Sequence, residues 1–491
     1  MSKSRTRYVV VGGGISGVTC AETLSFLDKD ARITLVSASS LIKTVINLVK
    51  VTQVGEMFDV EERSLQHAQD NCSNVTVVHA SVTSLSTKEK KLVTSGGQII
   101  EYDKLCVCTG AKPKVIAKDN PYVVGIRDTE SVKDFQKKVS SARRIVVVGN
   151  GGIATELVYE LEGCEVIWAI KDKSIAHTFV DAGAGEFFLE QLNKDKVVTQ
   201  EEPLKRHKYT ADGSHITTNF TSETEILGGA LGPDWTSSIS IHGAQQIYHK
   251  VHVETQVEVV EVLTPTQFRD MGHQEVLLHQ HIELPQWPAY IHLSNKKVYG
   301  CDLIVSATGV EPFTDMFLQG NQFELAADGG LKVNDRMETT ERDVYAAGDV
   351  CSASWEWSSH WLQMRLWSQA RQMGCYAAKC MVASTRAEEI SLDFCFEIFV
   401  HVTTFFKFKV ILLGRFNAQG LTEDYELLLR VTKGQEYVKV ILQDGKMVGA
   451  ILIGETDLEE TFENLILNGM DLTSFKENLL EPGVDVDDFF D

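Results

Sequence analysis

The chain has 491 residues, 43% of them hydrophobic, and a formal net charge of −21. That length exceeds one ordinary core and predicts several domains, while the composition is that of a globular protein and excludes a disordered or fibrous one. The acidic balance argues against nucleic acid as a direct ligand, because phosphate binding needs a basic face.

The basic stretch Met1 to Arg7 leads into Tyr8-Val9-Val10-Val11, which breaks at once into glycines. That reads as a buried strand and not as a signal peptide. Gly12-Gly13-Gly14-Ile15-Ser16-Gly17 follows, and a helix is predicted over 18–27. In such a strand, loop and helix the first glycine makes the tight turn, the second lets backbone approach a pyrophosphate, and the third small residue lets helix pack on strand. The helix N-terminus then receives the anion. Strands are expected over 33–36, 75–84 and 91–93, and Tyr102 to Gly110 reads as a buried strand ending in Thr109-Gly110. Cys106 and Cys108, two apart, point to one face of it as core thiols.

Ile145-Val146-Val147-Val148 and Gly149-Asn150-Gly151-Gly152-Ile153-Ala154 repeat the opening pattern, with a helix predicted over 155–162. One glycine loop is a weak signal. Two, each behind an apolar strand, predict two dinucleotides on one polypeptide. A polar stretch at about 201–246 reads as an exposed insertion. Of the 14 histidines, His207, His215, His242, His249 and His252 lie in or near it, without a carboxylate or thiol at metal-ligand spacing, so no metal is expected. Cys301 to Gly309 reads as a second strand ending in Thr-Gly, and Val344 to Val350 as a strand ending in Gly348-Asp349. A helix over 364–381 carries Ala370, Gly374, Ala377 and Ala378 for close packing. From Phe394 the pattern turns to β-alternation, with a hairpin through Asp444-Gly445-Lys446 and a helix over 458–467. Charges within 394–413 rule that segment out as a membrane span, and a soluble intracellular protein is expected. The ten cysteines lie without a C-x-x-C pair, as reduced structural thiols do. The acidic tail 481–491, with Phe489 and Phe490, reads as solvated or packed on its own chain, the alternative being a docking peptide.

These motifs, in this order, resemble the two-dinucleotide flavoproteins of the pyridine nucleotide-disulphide oxidoreductase family, and the C-terminal part resembles the end domain of its rubredoxin-reductase and nitrite-reductase branch. The resemblance implies an α/β fold of two Rossmann-like domains, the second inserted in the first, plus a C-terminal α+β domain. Its expected boundaries are 1–126 and 311–385 for FAD, 127–310 for NAD(P)H, and 386–491 for the end domain. The FAD residues implied are Gly12, Gly14, Ile15, Ser16, Gly17, Ser37, Lys43, Val82, Thr109, Gly110, Gly348 and Asp349. Those implied for NAD(P)H are Gly149, Gly151, Gly152, Ile153, Ala154, Glu156, Lys171 and Gly309. Ser37 stands where an acidic residue usually holds the adenosine ribose. Lys171 is placed to meet a 2′-phosphate and Asp172 to approach a ribose. With no arginine pair, NADH is favoured slightly.

Lys43 and Glu156 match the family's lysine near flavin N5 and the glutamate facing it, and are the implied catalytic pair. The family's reactive cysteines would fall within Ser39 to Asn47, and that stretch holds no sulfur. Dithiol relay therefore has no route beside the flavin. Hydride from NAD(P)H is expected to pass to FAD and on to oxygen, a quinone or a protein. The segments 163–173 and 365–374 narrow the resemblance to a vertebrate branch. That branch implies protection of the tRNA ligase complex from oxidative inactivation, in cytoplasm and nucleus and, in muscle, the sarcomere. A second reading is a redox-responsive binding protein resembling apoptosis-inducing factor, with a long-lived reduced flavin–NAD complex and slow turnover.

Overall fold

Short runs of valine, isoleucine and leucine without charge cannot face water on either side, so they pair as buried parallel strands with helices over both faces. The structure, a computed structural model, describes residues 5–126, 129–192, 241–244, 250–278, 286–422 and 424–481. It contains two five-stranded parallel sheets of the same design. In the first, strand Arg7–Val11 has Arg32–Ser37 and then Val75–His79 on one side, and Lys104–Val107 and then Val344–Ala346 on the other. In the second, Arg144–Val148 has Glu165–Ala169 and Lys250–Glu254 on one side, and Leu303–Ser306 and Val123–Val124 on the other. Strand order reverses at the central strand in both, which opens a crevice at the strands' carboxyl ends.

Each unit also carries a three-stranded antiparallel sheet, Val82–Ser86, Lys91–Thr94 and Ile99–Glu101 in the first and Val259–Leu263, Ala289–Leu293 and Val298–Cys301 in the second. The chain leaves the first unit through Ala111–Pro113 and returns through Val310–Pro312. These two crossings pair antiparallel with each other, so one unit is inserted in the other. The helix Trp367–Arg386 packs across the first unit. Gly374 permits this, since a Cβ there would stand 2.2 Å from the Ser16 carbonyl oxygen.

The C-terminal domain is a five-stranded antiparallel sheet in the order Val400–Phe405, Phe408–Gly414, Lys446–Ile453, Glu436–Gln443, Glu426–Thr432. Phe462, Leu465 and Ile466 of helix Glu459–Asn468 seal one face. Phe405, Phe406 and Ile451 on the other join the core of the second unit. Among the described residues no helix is long and apolar enough to cross a membrane.

Several expected elements differ locally. The run from Cys301 to Gly309 is two strands, broken at Asp302, whose carboxylate takes hydrogen bonds from the Arg143 backbone and guanidinium at 2.7 and 3.0 Å. The strand expected over 75–84 breaks at Ala80, which turns to bond the Ser37 carbonyl at 2.8 Å. Both loop helices begin earlier than expected, at Ile15 and Gly152, because the glycine loop itself supplies the first turn. Residues 394–396 form a 3-10 turn capped by Asp393. Most of the polar insertion lies outside the described residues. Its end is anchored where Gly243 N and Ala244 N bond the carbonyls of Glu162 and Ala142 at 2.7 and 2.9 Å.

Candidate dinucleotide-binding site

The two glycine loops are copies in geometry as well as sequence. Gly12 has φ +128° and Gly149 φ +129°, a region side chains avoid, and a Cβ at either would stand 2.1 Å from a carbonyl oxygen of the facing strand, Cys108 or Ala307. A Cβ at Gly17 would meet the Gly12 carbonyl oxygen at 1.9 Å, and its counterpart Ala154 is fully buried. The middle glycines behave oppositely: a Cβ at Gly14 or Gly151 would meet no atom within 4 Å. Backbone is thus pressed against backbone on two sides and left open on the third, where a pyrophosphate approaches. Neither helix N-terminus has a side-chain cap or a first-turn acid, so its free N–H groups and dipole are available to an anion. Both cradles fit a dinucleotide.

Around the first loop, Ser37 ends its strand 1% exposed and donates its hydroxyl to the Ser39 carbonyl at 2.9 Å. Val82 begins the small sheet just past Ala80, which is bonded to the same strand end. Thr109 donates to the Phe313 carbonyl at 2.8 Å, and Gly110 follows at φ +66°. Gly348, at φ +80°, faces Ser16, whose Oγ would lie 2.7 Å from a Cβ there. The next carboxyl, Asp349, is pushed up to about 6 by burial, against the pull of Arg365 and Lys43. Arg365 also donates from Nε to the Asp349 carbonyl at 3.0 Å.

Lys43 lies on strand Leu41–Lys50, its backbone N–H donating to the Gly13 carbonyl at 2.9 Å. Its ammonium stands 5.0 Å from the centroid of the Trp367 ring, a cation–π contact. Directly across the hairpin is Glu62, 4% exposed. Sequence reasoning missed this carboxylate, since strand pairing leaves no local spacing signal.

In the second unit the Trp168 indole N–H, which the sequence does not single out, donates to the Gly149 carbonyl at 2.7 Å and fixes the loop. Asn150 donates to Asp172 at 2.9 Å, which holds that carboxylate at the strand end beside exposed Lys171. Gly309 has φ +98° with open space around it. Ile153 is exposed and Glu156 partly buried on helix Gly152–Glu160. The Phe179 ring comes within 3.4 Å of where a Gly152 Cβ would be, and its centroid is 5.9 Å from that of His401 on the C-terminal sheet. Burial pulls the His401 imidazole down to about 4, so it is neutral at pH 7. Neither Phe179 nor His401 was legible, because Phe179 reaches the loop, and His401 reaches Phe179, from distant segments.

The strand carrying Lys43 has no sulfur. All ten cysteines are free, and Cys106 and Cys108 share a face as expected, their sulfurs 3.5 Å apart in the core. Burial pushes Cys164 and Cys380 up to about 12, which keeps them as thiols. His242 contacts the Gly243 carbonyl at 2.7 Å and His252 stands 3.5 Å from Glu165. His207, His215 and His249 lie outside the described residues.

Comparison with known proteins agrees with this architecture. Residues 6–230 and 241–374 match the pyridine nucleotide-disulphide oxidoreductase family, and residues 404–470 match the rubredoxin NAD+ reductase C-terminal domain. The chain is 54% identical over 494 residues to pyridine nucleotide-disulfide oxidoreductase domain-containing protein 1 of Danio rerio, covering 100% of this chain and 99% of that protein. Among solved structures it resembles a ferredoxin reductase from Rhodopseudomonas palustris, with TM-score 0.66 and 15% identity over 99% of this chain and 100% of that one. It also resembles a water-forming NADH oxidase from Lactobacillus brevis, with TM-score 0.64 and 15% identity over 96% and 92%. At such identity these two likenesses concern the fold.

Proposed function

The chain belongs to the pyridine nucleotide-disulphide oxidoreductase family, with FAD and NAD(P)H as cofactors, and from that premise we propose that it oxidises NAD(P)H and delivers the electrons onward without a cysteine pair. One observation carries the reading: two geometrically equivalent cradles, and beside the first a strand that presents Lys43 where a thiol relay would need sulfur. FAD, when bound, supplies a centre that accepts hydride and passes electrons to a separate acceptor.

The residues divide this work. Gly12, Gly14, Ile15, Ser16 and Gly17 hold the pyrophosphate of FAD, Ser37 and Val82 the adenosine end, and Thr109, Gly110, Gly348 and Asp349 the opposite end. These come from the segments 1–126 and 311–385. Gly149, Gly151, Gly152, Ile153, Ala154, Lys171 and Gly309, within 127–310, hold NAD(P)H, and 386–491 closes the site with Phe405 and His401. Lys43 and Glu156 are the catalytic pair. The Lys43 cation stabilises negative charge as it develops at the reacting edge, and Glu156 compensates the lysine. Asp349, its carboxyl raised by burial, faces the opposing charges of Lys43 and Arg365. Phe179, Phe405 and Trp367 keep water from the mouth, and orientation of the two bound cofactors provides most of the rate.

The chemistry of Asp172 and the lack of an arginine pair favour NADH over NADPH, tested by the ratio of kcat/KM for the two. The acceptor in this proposal is oxygen, a quinone or a ferredoxin-like protein, and the site's service is to protect the tRNA ligase complex in cytoplasm and nucleus from oxidative inactivation. Co-purification of that complex with wild-type protein, and failure to protect it when Lys43→Met is supplied, is the expected outcome.

Stopped-flow absorbance tests the core reading. After anaerobic reduction by NADH, admission of air or a quinone restores the FAD absorbance within seconds. A bleached state persisting for many minutes with every acceptor class would instead favour a redox-responsive binding protein of the apoptosis-inducing-factor kind.

A further inference from the structure

The second unit's small sheet carries a cluster that dinucleotide binding does not use. Glu261 and His292 are directly opposite each other on the antiparallel strands Val259–Leu263 and Ala289–Leu293. Alternation along these strands turns Ala289, Ile291 and Leu293 toward the parallel sheet. Glu261 and His292 therefore share the outer face with Leu263 and Tyr290. Helix Pro265–Asp270 covers that face, its Phe268 ring stacked on Tyr290 at 4.0 Å. The chain then turns at Gly272, φ +66°, which brings His273 over His292 with ring centroids 4.7 Å apart.

We propose that Glu261, His273 and His292 form a binding site for a borderline divalent cation, zinc above all. Their ligating atoms all lie within 4.8 Å of one another, and His292 Nδ1 is 3.2 Å from Glu261 Oε1. That short edge is already close to the roughly 3.3 Å separating two ligands of a tetrahedral zinc site with bonds of about 2.0 Å. Rotation of the His273 side chain closes the rest. Two imidazoles and one carboxylate favour zinc and its neighbours over calcium or magnesium, which prefer all-oxygen shells. All three side chains are partly exposed, so the ion has an entry path and water completes the fourth position. Among the described residues no other group of histidines, cysteines and carboxylates converges in this way. The ion would fasten the loop after helix Pro265–Asp270 onto the sheet, a structural role separate from the cofactor cradles.

The test uses FAD-loaded, full-length protein stripped with a chelator and titrated with Zn²⁺ by calorimetry, and with Co²⁺ by visible absorption. One equivalent should bind, with the intense bands of four-coordinate cobalt, and Zn²⁺ should raise the melting temperature. His273→Ala or His292→Ala should weaken binding at least about a hundredfold, and Glu261→Gln at least about tenfold, taking ligand loss to cost no less than loss of a second-sphere partner. FAD content and NADH turnover should be unchanged in all three, which also shows that the variants fold. Stoichiometric binding that survives in the His273→Ala/His292→Ala double variant would overturn the proposal, as would the absence of stoichiometric binding by the wild-type protein.

Discussion

The first and second dinucleotide units share the order of four of their five parallel strands, and their opening glycines differ in φ by a single degree, yet their surroundings are unlike. The first loop is bordered by the hairpin Leu41–Lys50 and Glu56–Ser64, with charged Lys43 and buried Glu62. The second is bordered by Phe179, Trp168 and the C-terminal sheet. Backbone geometry therefore makes each unit a dinucleotide cradle. In the proposed function, side chains from neighbouring segments decide which nucleotide it takes and what chemistry follows.

The sharpest way to break that division is to fill each cradle in turn. Gly12→Val and Gly149→Val each force a side chain into a carbonyl 2.1 Å away at positive φ, at a cost of about 3 kcal/mol or more. Gly12→Val should abolish FAD retention, measured as flavin per chain. Gly149→Val should keep FAD but raise the KM for NADH at least ~100-fold, the scale of losing the main pyrophosphate contacts. If both variants lost FAD equally, the two units would not be separate cradles.

The side-chain half of the comparison is tested at Lys43. Lys43→Met should lower the rate of NADH-dependent FAD reduction on the order of 10²-fold, as loss of one preorganised electrostatic contact does, with the KM for NADH nearly unchanged. Glu156→Gln should act in the same direction and less strongly.

Titration offers a subtler contrast. Asp349 beside the first loop has its carboxyl raised from 3.8 to about 6. Its contribution to stability is present below pH 4 and lost as pH rises through 6. His401, packed on Phe179, is lowered from 6.5 to about 4, so its contribution is present above pH 6.5 and lost as pH falls through 4. The two slopes oppose each other between pH 4 and 6, each worth of order 2 kcal/mol after solvent screening. Thermal melts should show Asp349→Asn gaining stability with rising pH across that window and His401→Asn losing it.

The smallest effect is expected at the thiols. Cys106→Ser/Cys108→Ser places two hydroxyls in the core beneath the first loop and should lower the melting temperature. Turnover per bound FAD should change less than about twofold, because in the proposed function these thiols lie outside the reaction path.

The cradles were readable from sequence because glycine spacing dictates backbone conformation, and the apolar runs before them dictate buried parallel strands. The C-terminal hairpin was equally plain, since Asp444-Gly445 separates two apolar strands. Glu62, Trp168, Phe179 and His401 were not, because each acts across a strand pairing or a domain contact that no local period encodes. The break at Asp302 was hidden for a related reason: one aspartate in an apolar run looks like noise until Arg143 is found beside it.

In the proposed function hydride enters this chain through two cradles and meets no cysteine pair. Anaerobic titration of the FAD-loaded protein with NADH, followed by the visible flavin absorbance, tests it most directly. Full bleaching by one equivalent of NADH per FAD is the predicted result. A need for two equivalents, with free thiols increasing by two per chain, would reveal a redox-active disulphide and overturn the proposed function.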